Sequence, residues 1–198
     1  RQGNDLVLSY GTKDSLTVQN YFSGPAYQIE QFRFSNGVTW NEASIKARVV
    51  TQGTDAADSF AGYADGINRI YARGGDDYLT GGDLGDRLDG GSGNDVFYAG
   101  YGNDTLTGGT GHDTLDGGAG ADLLGGGAGN DQLSGGEGGD VYSLALGAGS
   151  DQIADYSPAV GETDVVRFAD VASTGIKAVE RQGNDLVLSY GTKDSLTV

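Results

Sequence analysis

The sequence predicts an all-β fold in which short strands stack side by side with tight turns between them. Three observations lead to this prediction. Aspartates recur every nine residues, an apolar residue follows each of them two positions later, and a glycine-rich stretch precedes each one. One apolar residue in nine suits a strand too short to be a helix, and glycine supplies the positive-φ turns that other residues avoid. The aspartates are Asp77, Asp86, Asp95, Asp104, Asp113, Asp122, Asp131 and Asp140.

The negative charge of the chain is concentrated in this repeating segment. Residues 53–155 hold 18 of the 28 Asp and Glu residues but only 3 of the 12 Lys and Arg residues. This charge favours cations as partners and disfavours nucleic acid or anionic lipid. The chain has no cysteine, so disulfide bonds and Cys-based metal sites are excluded. It also has no apolar run long enough to predict a membrane span.

The repeating unit reads G-G-x-G-x-D-x-U-x, where U is apolar, and it resembles the nonapeptide of the repeats-in-toxin (RTX) family of haemolysin-type calcium-binding proteins. The resemblance implies a parallel β-roll with two nonapeptides per coil, in which six residues turn around a Ca²⁺ ion and three form a strand. Repeats i and i+2 then stack. Six pairs of aspartates follow, and with them about six ions, at 77/95, 95/113, 113/131, 86/104, 104/122 and 122/140.

Carboxylates stacked in this way repel each other unless a cation lies between them. Stacked strands are ~4.8 Å apart, and at an effective dielectric of ~20 two charges at ~5 Å repel by about 3 kcal/mol. Ca²⁺ accepts about 6–8 oxygen ligands, which two carboxylates and the exposed carbonyls of a glycine loop can supply. Calcium binding and folding are therefore expected to be one event.

Main-chain carbonyls should complete each site. In an extended loop successive carbonyls point to alternate sides, so odd positions of the hexad are expected to face one neighbouring coil and even positions the other. The only histidine, His112, is expected to be a solvated loop residue that offers its carbonyl, not a zinc ligand or general base. The expected carbonyl ligands are Gly90, Ser92, Asn94, Ala99, Tyr101, Asn103, Gly108, Thr110, His112, Gly117, Ala119 and Ala121.

Both ends of the array depart from the pattern. Asp58 begins a degenerate early repeat, Asn68 replaces the acid by an amide, and Leu84 occupies a position that is usually glycine. At the other end, Asp151 predicts a last repeat displaced by two residues, which would pair with Asp131. Asp58 and Asp151 are therefore predicted as additional ligands at the edges of the array.

The segment before the array predicts a β-rich capping module. Asn36-Gly37 signals a two-residue hairpin turn, and Asn41 can cap a short helix over residues 42–47. The segment, which contains IEQFRFSNGVTW, resembles the β-rich module that commonly flanks RTX arrays.

Three regions follow from these patterns. Residues 1–50 are predicted to form the flanking or capping module and residues 51–155 the calcium-binding roll. Residues 156–198 are predicted to continue the roll through Asp164–Phe168 and to hold a truncated second copy of the flanking module.

The first 18 residues recur unchanged as residues 181–198. Either a longer protein repeats with a 180-residue period or one end was duplicated by design, and we favour tandem repetition because both ends fall within the same motif. The second copy would be truncated. Strands at 185–190 and 194–198 are therefore expected to have open edges that recruit the N-terminal flank of another molecule, head to tail.

The leading functional prediction is a calcium-folded structural module of a large secreted or cell-surface protein, such as an adhesin-like spacer. The resemblance implies type I secretion of a bacterial kind. The alternatives are a polysaccharide-binding module, for which Trp40 and the eleven tyrosines could stack on sugars, and the secretion domain of a toxin or enzyme whose active domain lies elsewhere. No nucleophile elbow or EF-hand spacing is present, so an enzyme is not expected. The expected partners are calcium ions and neighbouring tandem repeats.

Overall fold

The computed structural model describes residues 1, 4–10, 14–23, 26, 28–156, 161–183 and 185–198. Regular structure in this part of the chain is nearly all β, so the predicted fold class is confirmed. No helix within these residues has the length and apolar character needed to cross a membrane.

The roll consists of short strands that alternate between two sheets. One sheet has seven strands in the order β17-β15-β13-β11-β9-β7-β5, and the other has nine in the order β18-β19-β20-β16-β14-β12-β10-β8-β6. Two successive nonapeptides therefore complete one coil, as predicted. The strands are β5 (Thr51–Gln52), β6 (Ser59–Ala61), β7 (Arg69–Tyr71), β8 (Tyr78–Gly82), β9 (Arg87–Ser92), β10 (Val96–Tyr101), β11 (Thr105–Thr110), β12 (Thr114–Ala119), β13 (Leu123–Ala128), β14 (Gln132–Glu137), β15 (Val141–Leu144), β16 (Ser150–Ile153) and β17 (Val165–Phe168).

Neighbouring strands among β5 to β17 are parallel in both sheets and are offset by two repeats. Phe97 pairs with Leu115 in one sheet, and Leu106 pairs with Leu124 in the other. The central strands are six residues long, not three as predicted, because the first residues of each hexad also join the ladder. Gly109 pairs with a glycine of the preceding coil and has a φ of 118°, a conformation that lets the chain turn while it remains paired.

The apolar residue of each nonapeptide points into a single core shared by both sheets. Burial of one such side chain stabilises the fold by about 1.5–3 kcal/mol. One apolar side chain in nine gives a narrow core, so apolar packing stabilises the roll only modestly. The charges of the buried carboxylates therefore have a large effect on whether the roll is stable. The buried side chains at this position are Leu79, Leu88, Phe97, Leu106, Leu115, Leu124, Leu133 and Tyr142.

The N-terminal flank has its own core, formed by Leu6, Tyr21, Ile45 and Val49. The described residues of this flank form two antiparallel hairpins, a 3-10 turn at Tyr21–Ser23 and one helix. The elements are β1 (Leu6–Tyr10), β2 (Asp14–Val18), β3 (Gln31–Arg33), β4 (Thr39–Asn41) and α1 (Glu42–Lys46).

Two local predictions in this flank have different outcomes. Asn41 caps α1, because its side-chain oxygen accepts the Ser44 N–H at 2.9 Å, so the predicted cap is confirmed. The predicted two-residue hairpin turn is wrong by one residue. The Phe34 N–H donates to the Val38 carbonyl, which leaves three residues in the loop, and Gly37 takes the positive φ of 83° that closes it.

The C-terminal region continues both sheets. β17 extends the seven-stranded sheet beyond β15, with which it pairs in parallel from Val165 to Phe168. A 3-10 turn at Ser173–Gly175 follows. Three further strands then extend the nine-stranded sheet, namely β18 (Ile176–Gln182), β19 (Asp185–Tyr190) and β20 (Asp194–Thr197).

The expectation of open edges at 185–190 and 194–198 is wrong. β19 lies between β18 and β20, and β20 pairs in parallel with β16 through Asp151↔Leu196. The physical reason is apolar burial, because Tyr190 and Leu196 join the core of the roll. The second copy therefore closes on the end of the roll in its own chain.

Candidate calcium sites

Each aspartate of the array lies directly before a strand and is buried. Nine aspartates, the eight of the regular array and Asp151 within β16, are 3% exposed or less. Because the strands are parallel and in register, each carboxylate lies beside the backbone of its counterpart in the preceding coil. The Asp95 Oδ1 accepts the Asp77 N–H at 2.8 Å, and the Asp122 Oδ1 accepts the Asp104 N–H at 2.7 Å. The same bond joins all six predicted pairs at 2.6–2.9 Å, and we call the aspartates that are linked in this way the aspartate ladder.

The second oxygen of these carboxylates, with the exception of Asp86, has no protein partner. A buried acceptor without a donor destabilises the fold by about 1–3 kcal/mol, and a buried charge destabilises it more. A cation bound to these oxygens would remove this penalty. Among the described residues, the buried Oδ2 atoms that lack a hydrogen bond are those of Asp77, Asp95, Asp104, Asp113, Asp122, Asp131, Asp140 and Asp151.

Glycine at the first position of the hexad leaves room for this unpartnered oxygen. A side chain at Gly90 would collide with the Oδ2 of Asp95, and one at Gly108 would collide with the Oδ2 of Asp113. Gly117 stands in the same relation to Asp122, whereas Ala99 occupies the equivalent position in its repeat. The main chain therefore passes directly beside the oxygens that would bind an ion.

Burial raises the pKa of these carboxyl groups strongly. The pKa is raised from 3.8 to about 7 for Asp104 and Asp113, and to about 6 for Asp77, Asp122 and Asp151. Loss of solvation is the largest cause. The backbone N–H bond opposes it, and the neighbouring carboxylates add to it. A divalent cation between two carboxylates would reverse this balance and favour the ionised form.

The predicted carbonyl ligands at positions one and three lie within the strands. The Thr110 carbonyl accepts the Gly93 N–H at 2.9 Å, and the Ala119 carbonyl accepts the Gly102 N–H at 2.8 Å, both from the preceding coil. A carbonyl oxygen has two lone pairs, so each retains one for a cation. Gly90, Ser92, Ala99, Tyr101, Gly108 and Gly117 occupy the same positions of their strands, and ligation by these carbonyls remains a prediction.

Position five forms a second, exposed ladder that sequence reasoning missed. The His112 N–H donates to Asn94 Oδ1 at 2.8 Å, and His112 Nδ1 in turn accepts the Asn130 N–H at 2.9 Å. Asn103 accepts the Ala121 N–H in the same way. These side chains bond to the next coil instead of being merely solvated. The regular 18-residue spacing of position five contained this signal.

The N-terminal edge of the array is satisfied by protein groups. The Asn68 amide donates to both carboxylate oxygens of Asp86 at 3.1 Å, so an amide fills the place that an ion would take. Asp58 donates its N–H to Asp77 as a regular repeat would, but its Oδ2 accepts two bonds from Thr54. The carboxylate of Asp58 is therefore less available to an ion than those of the regular array.

The C-terminal edge continues the ladder with longer spacings. The Asp151 Oδ1 accepts the Asp131 N–H at 3.1 Å, although the two residues are 20 apart. Asp164 accepts the Asp140 N–H at 3.0 Å over 24 residues, and sequence reasoning did not assign it as a ligand. The apolar Val166 two positions after Asp164 fits the repeat pattern, but the spacing of 24 residues from Asp140 departs from the regular spacing of 18.

Comparison with protein families agrees with this geometry. Four copies of the RTX calcium-binding nonapeptide repeat match residues 52–88, 63–97, 80–115 and 107–142. The chain belongs to the RTX haemolysin-type repeat family. The haemolysin-type calcium binding protein related domain also matches the N-terminal flank, at residues 5–44. No curated protein matches the chain.

The RTX repeats make the central segment a calcium-binding β-roll module. The matched residues include every aspartate of the regular array, from Asp77 to Asp140. Asp151 and Asp164 lie beyond the matched repeats, although the structure places both in the same two ladders.

Proposed function

We propose that the chain is a calcium-folded structural module of a large secreted or cell-surface repeat protein. The observation that carries the proposal is the set of buried Oδ2 atoms without partners, aligned along both sheets of the roll. Calcium supplies the missing positive charge, so the roll folds where calcium is abundant. Binding sites of extracellular modules have dissociation constants of about 10⁻⁴–10⁻³ M, well above the calcium level that cytosolic proteins sense.

This dependence suits export of an unfolded chain. RTX repeat proteins are typically secreted. Where calcium is scarce, the ionised ladder opposes folding, and the chain remains extended enough to pass an exporter of the type I kind. Outside the cell, calcium then folds the roll, because binding favours only the folded state.

The duplicated hairpin supports a tandem arrangement of such modules. Leu8 pairs with Leu16 in the first copy as Leu188 pairs with Leu196 in the second. Leu196 is 1% exposed because β20 lies against the end of the roll, whereas Leu16 is 45% exposed. In a tandem protein the roll of a preceding unit would cover Leu16 in the same way. Consecutive rolls would then form a continuous spacer that places another domain away from the cell.

A chain with two consecutive 180-residue periods tests the spacer role. Small-angle X-ray scattering should show a rod in calcium, about twice as long as that of the single unit, and an expanded coil in EGTA. The matched control carries Asp substitutions at Leu16 and its copy at the junction, which should loosen the rod without unfolding either roll. A bent, flexible two-period chain in calcium even without the substitutions would argue against the spacer.

Polysaccharide binding is a second candidate, favoured by one surface. Tyr78 and Tyr98 are neighbours on the nine-stranded sheet, with ring centroids 5.7 Å apart and exposures of 45% and 46%. Tyr98 also borders a shallow groove with Asp116 and Gln132, and such aromatic and polar side chains can bind sugars. Titration of a glycan panel against the chain and Tyr98→Ala tests this role. Equal, negligible heats for both proteins would remove it.

We propose no catalytic role for the chain, because its buried carboxylates are best explained by ions. The remaining alternative is a folding domain for a toxin or enzyme located elsewhere in a longer protein. That alternative uses the same calcium-dependent folding, and it differs from the spacer in needing only one period.

A further inference from the structure

Three carboxylates meet at the C-terminal end of the seven-stranded sheet, outside the regular array. One oxygen from each of Asp140, Asp155 and Asp164 lies within 4.8 Å of the others. Asp140 precedes β15 in the ladder, Asp155 follows β16, and Asp164 precedes β17. Asp140 is 0% exposed and its Oδ2 has no hydrogen-bond partner, so one member of this cluster has a buried carboxylate oxygen without a donor.

The backbone holds the other two carboxylates by one oxygen each. The Asp155 Oδ1 accepts the Gly136 N–H at 3.2 Å, and the Asp164 Oδ1 accepts the Asp140 N–H at 3.0 Å. Asp164 thus stands where a regular ladder aspartate would, whereas Asp155 has no counterpart in a nonapeptide. It brings a third carboxylate to a place where the regular pairs have two.

Tyr142 lies beside Asp155. In the column of buried apolar side chains, which are otherwise leucine or phenylalanine in the regular array, Tyr142 alone carries a hydroxyl. That hydroxyl accepts the Gly135 N–H at 2.7 Å and lies close to the Asp155 carboxylate. The departure from the apolar pattern therefore places a polar group beside Asp155, next to the cluster.

We propose that Asp140, Asp155 and Asp164 bind a terminal Ca²⁺ ion through three side-chain carboxylates. This inference rests on the proposed calcium-dependent folding, but it concerns a site that the nonapeptide repeats do not contain. The ion joins residues next to β15 and β17 in one sheet to a residue that follows β16 in the other. It therefore fastens the two sheets together at the end of the roll.

The donor set selects a hard cation. All three ligands are carboxylates, which supply up to six oxygens, and Ca²⁺ accepts about 6–8 at about 2.3–2.6 Å. Oxygens on opposite sides of such an ion are about 4.6–5.2 Å apart, in line with the spacing of this cluster. The cluster includes no histidine or cysteine, which zinc would favour.

Anomalous scattering from crystals of the whole chain grown with Tb³⁺ in place of Ca²⁺ tests the site directly. The proposal predicts a peak between Asp140, Asp155 and Asp164 in addition to peaks between the ladder aspartates. Peaks in the ladder with none in this cluster would overturn the terminal site and leave the proposed function intact. No peaks anywhere would instead reject calcium binding by the roll as a whole.

A variant pair provides the solution test. Asp155→Asn keeps the acceptor for Gly136 and removes one charge, so it should bind one Ca²⁺ fewer per chain by equilibrium dialysis with metal analysis. Asp170→Asn is the matched control, because Asp170 also accepts a backbone N–H, that of Leu146, yet lies outside the cluster. Circular dichroism at saturating calcium should show the same roll in both. An unchanged ion count in Asp155→Asn would overturn the proposal.

Discussion

Acid should replace calcium in folding the roll, because protonation removes the charges that calcium would neutralise. Burial raises the pKa of Asp104 and Asp113 from 3.8 to about 7. Each pKa unit corresponds to about 1.4 kcal/mol, so ionising either group in the calcium-free roll costs about 4 kcal/mol. Asp77, Asp122 and Asp151, whose pKa values are raised to about 6, cost about 3 kcal/mol each.

The direction of the pH dependence follows from the raised pKa values. A carboxyl group whose pKa is higher in the folded state favours folding when protonated, and this contribution is complete below the unfolded pKa of 3.8. It is lost as the pH rises through about 6 to 7. The five groups together oppose folding by on the order of 15 kcal/mol at neutral pH, comparable with the whole stability of an ordinary domain, about 5–15 kcal/mol.

Far-UV circular dichroism in EGTA checks this prediction between about pH 7.5 and about pH 4.5. The upper pH should give a coil spectrum and the lower pH a β spectrum, with sedimentation velocity to show that the acid form is monomeric. The lower limit stays above the isoelectric point of about 4.1 that the sequence gives, so the unfolded chain keeps a negative charge. A coil at both pH values, or a folded roll at both, would contradict the electrostatic reasoning.

Three further predictions follow from the same geometry. Asp104→Asn should raise the calcium concentration at the midpoint of folding several-fold more than Asp58→Asn, because the Asp58 carboxylate is already held by hydrogen bonds. Equal midpoints for the two variants would count against this reasoning. Gly111→Ala should lower the free energy of unfolding in calcium by about 3 kcal/mol or more, because the φ of Gly111 is 131° and a Cβ would collide with a backbone carbonyl. Gly125→Ala is the control and should change the stability little, and thermal melts of the two variants make the comparison. A chain without residues 181–198 should self-associate more than the whole chain in sedimentation velocity, because β16 loses its partner β20; equal behaviour would show that this edge is protected in another way.

The regular part of the fold and of the sites could be predicted because one short unit repeats without insertions. A nine-residue spacing fixes which aspartates stack, so the six ladder pairs followed directly from the sequence. The strand lengths did not follow, because pairing of the hexad depends on glycine backbone conformations that only the folded chain displays, such as the φ of 118° at Gly109.

Insertions and long-range contacts limited the remaining predictions. Asp164 and Asp155 lie after the nine-residue spacing ends, so no periodicity placed them beside Asp140. β20 packs on β16 because this contact buries Leu196. The paired residues are 45 positions apart in the chain, so no local sequence pattern predicts the pairing. The exposed Leu16 in an identical sequence shows that context, not the sequence of the hairpin, decides this packing.

Calcium titration of the metal-free chain tests the central claim most directly. Far-UV circular dichroism and metal analysis should be followed on the same samples at neutral pH. We predict a coil without calcium and a cooperative change to β structure, with the bound ions and the spectral change rising together. A roll that forms fully in EGTA with no metal retained, or that binds calcium without any change in structure, would contradict the account.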